Sequence, residues 1–327
     1  MSEIPGHLLP TYSDASREDA LFHYTTAKGL IGIFDTNEIW STAYYCANDE
    51  SELAAGKGIL APLFRSSTQK LIDANDSLVQ IFAQRGVDIR EYADRFEQQI
   101  TGMALSSLCA YITCFCKPTS KEDFHHGLLS QWRGYGSDGG YALHFSRKKL
   151  LAAIENSNKS DGLAYELQDV YYTAENPMKA DVLGHKEAFV NEYMSYLEEL
   201  SEPLDVSKRT MRNPIVGLLD GALESFLDYL IHTKNGHFGE ERECRLSITQ
   251  LSAGPDQLPV QYFNRGGLLV PYTRTPHLSF NILDCVEWIV IGPGPRMNAR
   301  FKSVFQLVRQ SGREIKVRAS HIPFTRF

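Results

Sequence analysis

No run of about 18 apolar residues occurs in the chain, so no helix is expected to cross a bilayer. Positive charge is in short supply: 33 Lys and Arg stand against 40 Asp and Glu, a net charge of −7. That balance excludes a surface that coats nucleic acid indiscriminately, because such binding rests on many Lys and Arg contacts. Cysteine is scarce too, and the six residues lie mostly in apolar runs such as Tyr111-Ile-Thr-Cys-Phe-Cys116. Buried, reduced thiols fit this setting better than a disulfide frame. Cys114-x-Cys116 lacks a second ligand pair at zinc spacing, so no metal site is expected. The opening Met-Ser-Glu-Ile-Pro-Gly-His has neither the basic nor the apolar segment of a secretory leader, and the expected location is cytoplasmic. Gly-x-x-x-x-Gly-Lys-Ser/Thr, a helix-opening Gly-x-Gly-x-x-Gly and His-Glu-x-x-His are all absent. P-loop hydrolysis, Rossmann redox chemistry and zincin proteolysis therefore have no support.

What is present is an ordinary globular composition, 43% hydrophobic over 327 residues, with neither internal repeat nor low-complexity segment. Residues 21–52 read as strand, helix, strand; further strand-like runs are predicted at 108–117, 141–145, 165–172, 241–249, 267–273, 285–292 and 314–320, with helices at 128–135, at Ser146 and at about 297–311. Asn48-Asp49-x-x-Glu52 has the pattern of a helix cap. Apolar residues at three- and four-residue spacing predict helical blocks at about 53–107 and 176–234. The economical fold is one α+β domain over 1–327, a mixed sheet core with helical insertions.

Residues 22–42 are the most informative stretch. A short apolar strand delivers His23 into a helix capped by Thr25 or Thr26, and Leu30, Ile33 and Phe34 form its buried stripe. Backbone N–H groups at a helix start beside an imidazole suit a ribose and a phosphate; alternatively, His23 is a strand-end histidine bonded to a carbonyl. In Glu241-Arg-Glu-Cys-Arg-Leu-Ser-Ile248, strand alternation puts Cys244, Leu246 and Ile248 on one face and Glu241, Glu243 and Arg245 on the other. That polar face is either a pair of working carboxylates or a plain Glu243–Arg245 ion pair. Trp132, Tyr135 and Tyr141 cluster around the Gly136–Gly140 turn, where a π-surface could meet a ligand or a core could form. His125-His126 reads as a surface pair in a polar loop. The basic residues Arg296, Arg300, Lys302, Arg309, Arg313, Lys316 and Arg318 read as solvated faces of a terminal helix and strand, or as phosphate contacts.

The strand–helix opening at 22–42 resembles that of the ADP-ribosyltransferase superfamily, including its poly-ADP-ribose polymerase and DNA-targeting toxin branches. Together with Asn48–Glu52, Leu129–Gly136, Glu241–Arg245 and Ile289–Pro293, it looks more closely like the bacterial family DUF2971, whose function is unassigned. The resemblance implies an ADP-ribosyltransferase-like fold and NAD as substrate, bound by His23, Tyr24, Thr25, Trp132, Arg133, Tyr135 and Tyr141. By resemblance, Glu243 steadies the ribose as nicotinamide leaves and Glu241 serves the acceptor, with His23 completing the catalytic set. Tyr24 departs from the polymerase-like pattern, which has Gly after the histidine, so its ring is expected to turn away from the ligand. The implied activity is transfer of ADP-ribose to a protein or nucleic-acid acceptor, in the manner of a toxin or phage-defence effector. The rivals are a non-catalytic nucleotide-binding module of the same fold and a nuclease using His23, Asp49 and Glu243.

Overall fold

The computed structural model describes residues 11–46, 110–135, 139–158, 164–172, 230–249, 258–274 and 281–323, with scattered residues between 65 and 98. The Asn48–Glu52 cap, Asp49 included, and most of the two helical blocks lie outside the described residues. The chain divides into two compact units: 1–43, 110–170 and 238–327 form the first, and 44–109 and 171–237 the second.

The strands are β1 (Ala20–Thr25), β2 (Trp40–Ala43), β3 (Ala110–Cys116), β4 (Tyr141–Ser146), β5 (Ala164–Asp169), β6 (Tyr171–Tyr172), β7 (Thr233–Lys234), β8 (Glu243–Thr249), β9 (Val260–Arg265), β10 (Leu268–Arg274), β11 (Val286–Ile291) and β12 (Lys316–Ala319). In the second unit β6 and β7 pair in parallel, and the Tyr44 hydroxyl donates to Leu230 O at 2.6 Å. A helix at Asp76–Gln84 buries Phe82.

The first unit is built on a ten-stranded sheet that runs β12-β11-β4-β1-β3-β2-β10-β9, with β8 paired to β3 and β5 to β8. Its mixed α+β character agrees with the sequence pattern. β9 and β10 form a hairpin that the sequence reading misses in its first half; the overlooked signal is Gly266-Gly267, both at positive φ, which only glycine adopts freely.

The sheet forks at β3. One edge of β3 pairs with β8 along its full length, whereas the other edge meets β1 only at Phe22↔Cys116 and β2 only at Thr42↔Ile112 and Ala43↔Tyr111. Between those contacts the Cys114 carbonyl faces no strand and needs a donor from elsewhere.

Two cores lie on the two faces. One gathers Leu21, Phe115, Leu143, Phe145, Cys244, Leu246 and Ile289 under the 27–36 and 297–310 helices, through Leu30, Ile33, Phe34, Val304 and Val308. The other gathers Phe22, Tyr24, Cys116, Ala142 and Val290 under Phe124, Leu128 and Trp132. Helix 27–36 starts as its sequence dictates, with the Thr26 hydroxyl accepting from Gly29 N at 3.2 Å.

Candidate functional site at the sheet fork

His23 sits in the fork. Its Nδ1 lies 3.1 Å from Cys114 O, the carbonyl left without a strand partner, and its ring meets Phe115 edge-on at 5.9 Å. A carbonyl can only accept, so the proton is on Nδ1 and Nε2 of the neutral ring is an acceptor. Burial lowers the imidazole pKa, against the opposing pull of the Cys114 carbonyl, and so favours that neutral form.

Glu243 opens β8 and is buried, and its carboxylate holds the guanidinium of Arg245 two residues on. Arg245 Nε donates to Oε1 at 2.7 Å and Nη2 to Oε2 at 3.3 Å, with both side chains essentially inaccessible. The ion-pair reading of this strand face is therefore realised. Glu241, by contrast, does not lie on the strand face expected for it. It ends a 3₁₀ turn at Gly236–Glu241, and Arg242 follows at φ +41, a left-handed conformation that breaks the alternation between the two glutamates. Lys117 N–H ties down the turned backbone by donating to Arg242 O at 3.1 Å.

Tyr135, at the end of the Leu129–Tyr135 helix, is 44% exposed. Partial burial raises its phenol pKa, and the charges of Cys114, Glu241, Cys116 and Glu243 push it further the same way. Cys114, expected to be buried, is exposed on the same strand face as Arg245. Sequence reasoning missed its part, because a carbonyl role has no residue-type signature.

The register divides the candidate residues between two faces. Glu243 lies in line with Cys116 and Phe22, whereas His23 lies in line with Leu143 and packs on Phe115. The two side chains leave the sheet on opposite faces of the fork, with Cys114 between them: its carbonyl bonds His23 and its thiol shares the face of Arg245. Thr25 pairs with Tyr141, so these two share the face of His23. Arg300 covers the Tyr141 ring at 4.9 Å.

The aromatic residues do not form one ligand surface. Trp132 is 1% exposed; its ring meets Tyr24 edge-on at 4.8 Å and its Nε1 donates to His126 O at 2.9 Å. Tyr24 is buried as well and accepts from Leu128 N at 2.7 Å, so its ring does turn away from His23. Arg133 is exposed on the helix that carries Tyr135. Of the three aromatic candidates, Tyr135 is the exposed one.

Two further expectations need correction. His125 and His126 belong to a helix, Lys121–His126, not to a loop; His125 is buried and His126 stacks on His321 at 5.2 Å. The basic C-terminal residues are not all solvated: Arg318 is 1% exposed, and Arg300 bonds Gly292 O at 2.7 Å and Gly140 O at 2.8 Å. The spacing of these residues resembles a polar face, and only tertiary packing turns them inward.

Among the described residues no group of three or more His, Cys, Asp or Glu is placed to hold a metal ion, and no helix is long and apolar enough to cross a membrane. No curated protein and no solved structure matches the chain. Residues 131–246, which run from the helix bearing Tyr135 through Glu241, Glu243 and Arg245, match the model of the family described as Protein of unknown function (DUF2971), and this supports placing the chain with that family.

Proposed function

We propose that the fork binds NAD and that the protein transfers ADP-ribose to a protein or nucleic-acid acceptor, as a bacterial toxin or phage-defence effector does. The observation that carries this reading is a buried carboxylate at the head of β8, Glu243, whose charge is felt by the phenol of the exposed Tyr135, one strand away from an imidazole, His23, whose Nε2 is left as an acceptor. In this reading the Tyr135 ring meets the nicotinamide and His23 Nε2 accepts from a ribose hydroxyl. As the bond between ribose and nicotinamide breaks, its electron pair leaves with the neutral base, and Glu243 stabilises the positive charge left on the ribose. Glu241, on the adjoining turn, takes the proton of the acceptor that forms the new bond.

A second reading, a nucleotide-binding module without chemistry, is favoured by one observation. Glu243 is already engaged by Arg245, and His23 leaves the sheet on the other face. Titration with NAD by calorimetry, followed by measurement of nicotinamide release and acceptor labelling, separates the two. The transferase reading expects release by the wild type, loss of release in Glu243→Gln at a temperature where that variant is folded, and loss of release in Tyr135→Ala. Binding without release assigns the module; no binding rejects both.

A further inference from the structure

The sheet ends at β9, and that end is uncovered. Val260, Gln261, Tyr262, Asn264 and Arg265 are exposed, and only Phe263 is half-buried. Leu269 on β10, at 65%, and Tyr262, at 59%, are the most exposed large hydrophobic side chains among the described residues, and Val260 and Leu268 are exposed beside them. A free, flat, apolar edge strand is a template for another strand, and folded proteins ordinarily blunt it with a lysine, a proline, a bulge or a cover. The stretch Val260–Asn264 has none of these, and among the described residues no strand pairs with its outer edge.

The hairpin geometry fixes which groups that edge presents. Gly266 and Gly267, both at positive φ, make a two-residue turn between Arg265 and Leu268, and in such a hairpin the pair that closes the turn exchanges both backbone hydrogen bonds. Alternation then turns the N–H and C=O of Arg265, Phe263 and Gln261 towards β10, and those of Asn264, Tyr262 and Val260 outwards. Pro271 fits this pattern, because it pairs with Tyr262 at a position where β9 needs no N–H from it. The side chains of Val260, Tyr262 and Asn264 share a face with Leu269, and through Thr273 and Ser41 with Ala43 of the larger core. The core face of the sheet thus continues past its cover into an exposed apolar patch.

The edge is complementary to itself. Antiparallel pairing of two copies about a two-fold axis at Tyr262 sets Tyr262 against its own copy, Val260 against Asn264 and Gln261 against Phe263, so the outward N–H and C=O groups of one strand all meet those of the other. Arg265 falls opposite Pro259, and no like charges meet. Residues 258–274 contain no Asp or Glu, so two copies of a chain of net charge −7 approach here without opposing carboxylates. Val260, Gln261, Tyr262, Asn264, Leu268 and Leu269 together expose roughly 500 Å² per copy, and covering them on both removes about 1,000 Å² from water, the lower limit for a specific interface.

We infer that the β9 edge is a homodimerisation surface, at which two copies of this chain pair their β9 strands antiparallel and join their sheets into one. The inference is independent of the NAD reading of the fork.

Sedimentation velocity of the full chain at concentrations up to the order of 100 µM tests this, because an interface of this size associates weakly. Wild type is expected to pass from monomer to dimer over that range. Tyr262→Lys and Tyr262→Glu each set like charges against each other at the two-fold axis, and each should weaken the dimer on the order of tenfold without unfolding a position that is exposed in the monomer. Mixed in equal amounts, the two variants should associate again, because Lys then faces Glu. In the wild type, the amides of Val260, Tyr262 and Asn264 should gain protection from hydrogen exchange as concentration rises, a readout that needs no variant. A wild type that stays monomeric overturns the proposal and leaves the edge to a strand of another protein. A dimer that neither charge weakens, a mixture that stays dissociated, or amides that exchange alike at both ends of the range overturns it as well.

Discussion

Replacing Arg245 by Met should be among the most damaging single changes in the first unit, and replacing its partner as well should largely repair it. Arg245 Nε and Glu243 Oε1 are 2.7 Å apart, and the two side chains are 1% and 2% accessible. At an effective dielectric near 20 their attraction is roughly 6 kcal/mol, but withdrawing each charge from water costs several kcal/mol, so the pair as a whole is close to neutral. Removing the guanidinium leaves the desolvated carboxylate without its main counter-charge, a loss on the order of 3–5 kcal/mol. For a chain of this size that corresponds to a fall in melting temperature of about 10 °C. Glu243→Gln alone keeps an oxygen for Arg245 Nε but removes the carboxylate charge paired with the guanidinium, so it too should destabilise, by about 2–4 kcal/mol. In the double variant both penalties disappear together, leaving it within about 1–2 kcal/mol of wild type. Urea midpoints for the four proteins, compared at equal slope, give the coupling energy. A double variant as unstable as Arg245→Met, or an Arg245→Met protein as stable as wild type, would refute the argument.

Acid should loosen the helix-covered face before the carboxylates titrate. Burial, aided by Arg318, lowers the pKa of His144 to about 3, and burial, aided by His321, His125 and Arg318, lowers that of His126 to about 4. The folded values lie below the unfolded value near 6.5, so the unfolded chain binds the protons first; stability is full above that value and is lost as pH falls through it. His144 alone should cost roughly 2–3 kcal/mol by about pH 4.5, and His144→Phe should flatten the fall in melting temperature over that range. A melting temperature unchanged between neutral pH and pH 4.5 rejects this account. Gly292→Ala should destabilise by about 1–3 kcal/mol, because a Cβ there would stand 2.6 Å from the Trp132 ring and 2.9 Å from Gly140 O. An unchanged urea midpoint would show that the turn relaxes freely.

The sheet was legible where local pattern and tertiary demand agree. Leu30, Ile33 and Phe34 form a helical stripe that also is the buried stripe, and β4, β8 and β11 read as strands because apolar residues fill the positions that the two cores require. The site was less legible, for identifiable reasons. The alternation through Glu241 and Glu243 presumed a strand that starts at residue 241, but the left-handed backbone at Arg242 intervenes, and no residue-type rule places an arginine there. Trp132 and Tyr135 look equivalent as aromatic residues three apart on one short helix. Their fates differ because Trp132 meets Tyr24, Gly127 and Gly292, whereas Tyr135 lies beyond the covered core. Arg318 had no signal at all, since Lys316 and Arg318 alternate as an exposed strand face would, and only the overlying Phe124 and Trp288 bury the second of them.

The fork itself explains why two modest readings, a carbonyl-bound histidine and a Glu–Arg pair, do not dispose of a functional one. A carbonyl of β3 without a strand partner has to find a donor, and His23 supplies it; the consequence is a fixed tautomer with an acceptor at Nε2. A carboxylate at the head of β8 has to be neutralised once buried, and Arg245 does this while holding it in one rotamer. Both groups are thus immobilised by these bonds. Such support lowers the reorganisation a reaction would require, and it is equally what a rigid binding surface needs. The distinction between catalysis and binding therefore rests on Tyr135 and Glu241, which are accessible where Glu243 is buried. If Glu241→Gln lowers acceptor labelling while nicotinamide release continues, the turn that displaced Glu241 from the strand is part of the machinery. If both variants at 135 and 241 bind NAD as wild type does and the wild type itself releases no nicotinamide, the same fork is a binding surface.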